Sequence, residues 1–436
     1  MRRAALHNLG CKVNAYETEA MRELLEGAGY KIVPFEEEAD VYIVNTCSVT
    51  NIADKKSRQM LHRARRRNPK AAVVAAGCYV QSAGEKILED EAVDILVGNN
   101  EKEKLLHFLE EWEEMRARGV IHDMVHERTY EDLNISRTSE HTRAFMKIQD
   151  GCDQFCSYCI IPYTRGRVRS RRISDILKEA HNLAENGCRE VVLTGIHLDS
   201  YGADFASEGE DLLAVVQKIA QVDGIERIRL GSLEPRIMTE MFVEGLSKVH
   251  KLCPHFHLSL QSGCDETLKR MNRKYNTSEF SACCERLRRY FKEPALTTDV
   301  IVGFPGETEE EFAQTVEFLK KICFYEIHVF KYSRRKGTKA DRMTDQISEE
   351  VKSKRSDVLL KLTMEDSQAY RERQTGSVQE VLMEDACTID EKTYQIGHTK
   401  EYVKVAVEAD EALTNHIVRV KIEGLMKPEL LCARLF

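Results

Sequence analysis

Gly151-Cys152-Asp153-Gln154-Phe155-Cys156-Ser157-Tyr158-Cys159 stands directly after an apolar strand signal at residues 144–149. Three thiols therefore fall at i, i+4 and i+7 in the loop that leaves a strand. Thiolates are soft ligands and select zinc, copper(I) or iron–sulfur clusters. Structural zinc takes four protein ligands, and no fourth Cys or His follows nearby in the chain. Three ligands on a four-iron cubane leave one iron open to a cofactor or substrate. On spacing alone, a zinc loop completed by a distant ligand and packed core cysteines are the rival readings.

The strand before this loop opens a βα series. Further strands are expected at 190–193, 227–230, 256–260, 296–302 and 327–330. Helical periodicity separates them at 174–186, 211–221, 238–250, 277–291 and 307–322. Six repeats are too few for a closed eight-fold barrel, which takes about 250 residues. They suit an open, partial (β/α)6 barrel.

Upstream, residues 1–120 alternate strand signals (4–9, 30–35, 41–45, 72–76, 94–97) with amphipathic stretches (17–27, 52–67, 101–118). Such alternation predicts a doubly wound α/β domain. A polar linker is expected at 121–143, the βα domain at 144–345, and a helical connector at 346–375. Over 376–436 the period changes to two, which predicts a small antiparallel β-barrel of about five strands.

Length and composition agree with this division. The 436 residues suit about three domains at roughly 150 residues each. Lys and Arg number 64 against 72 Asp and Glu, for a net charge of −8. With 42% apolar and 31% charged residues, the chain reads as globular, not disordered. No apolar run approaches the ~18 residues of a membrane span. The start, Met-Arg-Arg-Ala-Ala-Leu-His, lacks the apolar core of a secretory signal. Fourteen cysteines fall far below the ~8–10% of a disulfide scaffold. A reducing, cytoplasmic setting is therefore expected.

Three more cysteines each follow a predicted first-domain strand: Gly10-Cys11, Asn45-Thr46-Cys47 and Gly77-Cys78. In an open α/β sheet the carboxyl ends of the strands line one crevice. Thiols 36 and 31 residues apart can thus meet at one point, although buried packing is the plainer explanation of any single cysteine. The other eight (188, 253, 264, 283, 284, 323, 387 and 432) lack mutual spacing and read as packing residues.

Cys-x3-Cys-x2-Cys after the first strand of a partial βα barrel resembles the radical S-adenosylmethionine (SAM) enzymes. Joined to Gly10-Cys-Lys-Val-Asn14, Asn45-Thr-Cys-Ser-Val-Thr50 and Gly77-Cys78, it resembles the methylthiotransferase family within them. The resemblance covers essentially the whole chain, with the last domain similar to an RNA-binding TRAM domain. It implies two 4Fe-4S clusters, one on Cys152, Cys156 and Cys159 and an auxiliary one on Cys11, Cys47 and Cys78. It also implies SAM bound at the open iron, with Tyr158 against the adenine. Gly195 and Gly303 would let the protein backbone approach the cofactor's methionine or adenine moiety; Glu234, Gln261 and Asp299 would bond its polar groups. Ordinary strand-end turn chemistry is the alternative for each.

Gly10-Cys-Lys-Val-Asn14 with Thr194-Gly-Ile-His-Leu-Asp-Ser-Tyr-Gly202 resembles the branch acting on N6-threonylcarbamoyladenosine at position 37 of tRNA. Its product carries a methylthio group at carbon 2. The N6-isopentenyladenosine branch, which more often shows Gly-Gln-Asn at the Gly-Ile-His position, is the alternative substrate class. The resemblance further implies an anticodon stem-loop partner, an electron donor such as flavodoxin or ferredoxin, a sulfur source, and no membrane. A cobalamin-dependent radical SAM methyltransferase is the nearest enzymatic rival, but its Asp-x-His-x-x-Gly mark is absent. A non-catalytic, metal-stabilised RNA-binding protein would leave Tyr158 and the strand-end glycines idle.

Basic runs at 63–67, 165–172 and 286–292 are the candidate RNA surface, the second favoured for phosphate contact because it follows the cysteine loop. The last domain carries seven basic and eleven acidic residues. RNA binding there would need a local face, with Tyr394, His398 and Tyr402 as candidates.

Overall fold

The computed structural model describes residues 1–116, 121–138, 142–205, 209–409 and 411–436. The expected helix end at 117–118 and part of the expected linker lie outside the described residues. The first sheet holds β1 (Arg3–Asn8), β2 (Lys31–Ile32), β3 (Val41–Thr46), β4 (Ala72–Gly77) and β5 (Ile95–Val97), all parallel. Every residue of β3 and β4 is buried. Alternate side chains point to opposite faces: Tyr42, Val44, Val73 and Ala75 enter one core, and Ile43, Val74 and Ala76 the other. Helices on both faces explain the unbroken apolar runs that marked these strands.

The spatial order is β2-β1-β3-β4-β5. Chain direction across the sheet reverses between β1 and β3, and ligands bind at such a switch point, beyond the carboxyl ends of the strands. Cys11 caps α1 (Lys12–Gly27) directly after β1. Cys47 follows β3 and precedes α2 (Asn51–Arg67), and Cys78 opens α3 (Cys78–Ala83) as β4 ends. Three adjacent strands thus deliver one cysteine each.

The second unit contains β6 (Arg143–Lys147), a short antiparallel pair β7 (Gln149–Asp150) and β8 (Arg169–Ser170), then β9 (Glu190–Thr194), β10 (Arg227–Leu230), β11 (His255–Gln261), β12 (Ala295–Val302) and β13 (Glu326–Lys331). Six strands form two parallel ladders, β10-β9-β6 and β11-β12-β13. Among the described residues, only isolated bridges, Ile228 with Leu252 and Leu233 with Leu258, join one ladder's neighbourhood to the other's. The barrel is therefore split as well as open. The β7–β8 pair, two residues a side, is too short for periodicity to reveal. A 24-residue helix, Glu349–Glu372, then packs along β13, its Thr363 hydroxyl accepting from the Ile327 amide at 2.8 Å.

The last unit is a closed barrel of β14 (Val378–Ile389), β15 (Lys392–Thr399), β16 (Lys404–Glu408), β17 (Ile417–Lys427) and β18 (Leu430–Leu435), in the order β14-β15-β16-β18-β17. The expectation of a wholly antiparallel barrel is corrected at one seam, where β16 and β18 run parallel. Directions cannot alternate around a ring of five, so one parallel pair is unavoidable. Buried Arg227 donates to the Glu380 and His398 carbonyls at 2.8 and 3.0 Å, docking this barrel on the βα unit.

Candidate cluster and cofactor site

The 151–159 loop is held from two sides. Gly151 has φ +70°, and a Cβ there would lie 1.8 Å from the Arg167 carbonyl oxygen. The Cys152 amide donates to Gly166 at 3.0 Å, and the Cys159 amide to Cys156 at 2.9 Å. Across the barrel mouth, Asn272 donates to the Phe155 carbonyl at 2.9 Å, and the Ser157 hydroxyl to that of Arg270 at 2.8 Å. Arg273 donates to the Cys156 sulfur at 3.1 Å and to Glu234 at 2.7 Å.

All three thiols are free and partly buried. Burial pushes Cys152 up to about 12, with the neighbouring Cys156 adding repulsion. Cys159 is raised by burial, then by Cys156 and Cys152. Thiols so gathered resist joint ionisation unless a cation compensates. A metal centre supplies that charge and deprotonates its thiols outright. Arg273 contributes a fixed positive charge on the same side.

The first-domain cysteines border one crevice, near enough for each charge to be felt by the others. Gly10, at φ +109°, lies so near Cys47 that an added Cβ would sit 2.8 Å from its Cβ and 2.9 Å from its Sγ. Cys47 is pushed up to about 11 by burial, and Cys78 and Cys11 both raise it further. Gly77 (φ +90°) precedes Cys78 where a Cβ would meet the Asn45 side chain at 2.5 Å. The residues present thus fit a three-thiol ligand set: free, convergent, and cradled by glycines that leave room for sulfur.

Asn14 ties this crevice together. Its amide nitrogen donates to the Leu9 and Thr46 carbonyls at 2.8 and 2.9 Å, so it spans the loops after β1 and β3. Its oxygen accepts from Arg165 at 2.7 Å. Arg165 is fully buried and pairs with Glu17 at 2.9 Å and Asp150 at 3.1 Å. Lys147 reaches the same two carboxylates at 3.3 Å each, and Lys102 reaches Glu17 at 3.3 Å. Arg165 also lies close enough to Cys78 and Cys11 for its charge to be felt there. This network clamps the first domain onto the strand that carries the second cysteine loop.

The network corrects the expected phosphate contact of residues 165–172. Arg165, Arg169 and Arg171 are buried in internal pairs with Glu17, Asp150 and Glu179. Arg172 is exposed and Arg167 half-buried. Spacing showed a basic run; the buried carboxylates that absorb it come from three other elements. The aromatic candidates of the last barrel are likewise turned inward. The guanidiniums of Arg143 and Arg229 lie 4.9 and 4.7 Å from the centre of the Tyr402 ring, His398 stacks on it at 4.5 Å, and Tyr394 is buried.

The strand-end residues divide into two groups. Tyr158, Gln261 and Asp299 line one cavity of about 230 Å³, together with Thr50 from the first domain and Ile301, Phe330 and Tyr332. Glu234 stands apart, beside the cysteine loop, with His197 at 3.2 Å and Arg273 at 2.7 Å. Gly195 packs on Gln149, where a Cβ would lie 2.8 Å from its side-chain oxygen. Gly303 (φ +71°) faces Lys352 of the long helix at 2.3 Å from a built Cβ, and does not line the Tyr158 cavity. Arg273 escaped the reading of site residues, because a lone Arg carries no spacing pattern; Asn14 stood only as part of a motif and Arg165 only as part of a basic run.

Comparison with known proteins follows the same division. Residues 146–319 match the Radical SAM superfamily, and residues 3–98 match Uncharacterized protein family UPF0004. The chain is 42% identical to Threonylcarbamoyladenosine tRNA methylthiotransferase MtaB of Bacillus subtilis (strain 168), covering 97% of this chain and 94% of that protein. The protein of the same name in Thermotoga maritima is 36% identical, over 97% and 95%. A tRNA-2-methylthio-N(6)-dimethylallyladenosine synthase of Carboxydothermus hydrogenoformans is 35% identical, over 95% and 94%. Among solved structures, the radical S-adenosylmethionine methyltransferase TsrM of Kitasatospora setae superposes with a TM-score of 0.56, covering 77% of this chain and 76% of that one at 16% identity. That last likeness is one of fold alone. The near-full-length identities, with a Radical SAM match across the βα series, establish that this chain belongs to the radical SAM family of tRNA methylthiotransferases.

Proposed function

We propose that this chain methylthiolates carbon 2 of N6-threonylcarbamoyladenosine at position 37 of tRNA. The reading is carried by three adjacent strand ends that each deliver a cysteine, in a domain clamped through Arg165 to the strand that leads into the 151–159 loop. Cys152, Cys156 and Cys159 would hold a 4Fe-4S cluster that binds SAM, and Cys11, Cys47 and Cys78 a second one engaged in sulfur insertion. When bound, the cluster and SAM supply one-electron chemistry, which an aromatic C–H bond requires and acid–base side chains cannot provide. Arg273 keeps Cys156 in a positive field, and Asn14 with Arg165 fixes the two triads relative to each other. Tyr158, Gln261 and Asp299 would wall the nucleoside part of SAM.

The same reading assigns a TRAM-like role to the last barrel, gripping the anticodon stem-loop through residues other than Tyr402. It brings with it a cytoplasmic setting, an electron donor such as flavodoxin or ferredoxin, and a sulfur source. Its target base must leave the stack to reach the cleft. Anaerobic reconstitution tests the ligand sets: two four-iron centres give about eight irons per chain, and a value near four overturns the second cluster. Mass spectrometry of tRNA nucleosides from a deletion strain tests the substrate. Loss of the methylthio derivative of threonylcarbamoyladenosine is expected, and loss of the isopentenyl derivative instead would overturn the assignment.

A further inference from the structure

A second cavity, of about 170 Å³, lies deeper in the partial barrel. Side chains two residues apart on a strand share a face, so the barrel interior can be followed along its strands. Thr297 lines the deeper cavity, whereas Asp299 and Ile301 line the one beside Tyr158. On the neighbouring strand His328 lines the deeper cavity and Phe330 the outer. The two cavities are thus in series, with Asp299 at their junction, 3.3 Å from both His257 and His328. Tyr402 of the last barrel forms part of the inner wall.

The charges around this inner cavity are almost all paired. Arg143 and Arg229 lie 3.0 and 3.1 Å from Glu190. His328 is flanked by Asp299 and, at 3.8 Å, by Glu326. Lys12 is different: it lines the cavity from the first turn of α1 and makes no hydrogen bond or ion pair among the described residues. The carboxylate whose field reaches it, Asp299, is already shared by two histidines. Lys12 also follows Cys11 directly, which sets its side chain between the first-domain crevice and the barrel interior.

Lys12 is exposed in the free protein and faces this cavity, so a substrate that covers its ammonium is favoured when it brings an anion. The threonylcarbamoyl group ends in a carboxylate; an isopentenyl group ends in methyls and would leave the ammonium desolvated and unpaired. Discrimination against a ligand that lacks the matching polar group is the strong kind, because the protein's own group, once covered by that ligand, is then orphaned. We propose that Lys12 reads the carboxylate of the threonylcarbamoyl chain inside the barrel, and is a specificity-determining residue of this enzyme. This rests on the substrate reading above.

The test measures binding of anticodon stem-loop RNA to the reconstituted holoenzyme by fluorescence anisotropy. The target adenosine carries threonylcarbamoyl, its methyl ester, or isopentenyl. Wild type is expected to bind the acid tighter than the ester by about tenfold to a hundredfold, the range of a charged hydrogen bond. Lys12→Met should bring that ratio to near one, and Lys12→Arg should keep part of it. Since the readout is a ratio within one protein, a general loss of affinity or of iron cancels. An acid-to-ester ratio unchanged in Lys12→Met overturns the role of Lys12 while leaving the substrate reading intact. A ratio near one in wild type, with the acid form still methylthiolated, overturns carboxylate reading altogether. Tightest binding of the isopentenyl RNA by wild type instead overturns the substrate reading itself.

Discussion

The two cysteine triads are assembled by opposite routes. Cys152, Cys156 and Cys159 lie within eight residues of one loop, so the chain itself sets their spacing. Cys11, Cys47 and Cys78 come from the ends of three strands, so only the completed sheet and its clamp to the next domain can set theirs. A local ligand set tolerates loosening of the fold around it. A dispersed one inherits every displacement of the elements that carry it.

Removing each triad is the largest perturbation and separates their roles. Cys152→Ala/Cys156→Ala/Cys159→Ala should abolish SAM cleavage. Cys11→Ala/Cys47→Ala/Cys78→Ala should keep SAM cleavage and about four irons per chain, and yield no methylthiolated tRNA. Chromatography of 5′-deoxyadenosine beside nucleoside mass spectrometry reads both. A dispersed-triad variant that still makes product would end the division of labour.

Next in size is the clamp. Arg165→Met leaves Glu17 and Asp150 short of a buried partner, a loss of about 3–5 kcal/mol when such a pair is broken. Iron should fall from the dispersed triad first, seen as a drop toward about four per chain with SAM cleavage retained. The pH dependence has a definite sign. Burial alone would raise Glu17 and Asp150, but Arg165, ahead of the lysines, outweighs it and holds both carboxyls well below their usual range. The pairs therefore contribute in full above an unfolded-state pKa of about 4, and the contribution is lost as pH falls below it. Melting temperatures should hold between pH 6 and about pH 4 and then, below about pH 4, decline in wild type and decline less in Arg165→Met.

The same contrast governs what could be read from the sequence. The local triad announces itself by spacing, and the strands of both α/β units by apolar runs that match the observed elements within a residue or two over most of their length. The exception at 30–35 shortens to Lys31–Ile32, an edge strand with one neighbour. Convergence of the dispersed triad was legible only as a possibility, because it depends on a strand order that periodicity does not encode. The basic run after the cysteine loop misled for a related reason. Arginine looks alike whether it faces phosphate or Glu17, and Glu17 lies 148 positions away from Arg165. The resemblance of its domain to an RNA-binding one makes Tyr402 a candidate RNA contact, yet its ring is occupied by Arg143 and Arg229.

A smaller perturbation acts on the dispersed triad through one contact. Gly10→Ala forces a side chain into the left-handed region and against Cys47, at 2.8 and 2.9 Å. A cost of about 1–3 kcal/mol is expected for such strain, with Cys47 displaced and auxiliary iron reduced. Full iron occupancy with unchanged stability would show that the crevice is looser than its geometry.

The finest comparison uses one deletion at both triads. Ser57, buried in α2, exchanges hydrogen bonds with the Cys47 backbone: its hydroxyl donates to the carbonyl at 3.2 Å and accepts from the amide at 3.4 Å. Ser157, next to Cys156, donates to the Arg270 carbonyl at 2.8 Å. Each Ser→Ala change removes about 1 kcal/mol of net hydrogen bonding, so chemical denaturation should report nearly equal losses. Iron retention should not be equal. Ser57 is what fixes the Cys47 backbone to a helix, and without it the dispersed triad loses a positional restraint that nothing local replaces. Ser157 sits in a loop that keeps its spacing by covalent connection and by Asn272 and Gly166 on either side. Competition with an iron chelator should therefore strip Ser57→Ala faster than wild type, while Ser157→Ala behaves as wild type. Equal stripping of the two would mean that dispersion in sequence carries no such liability once the sheet has formed.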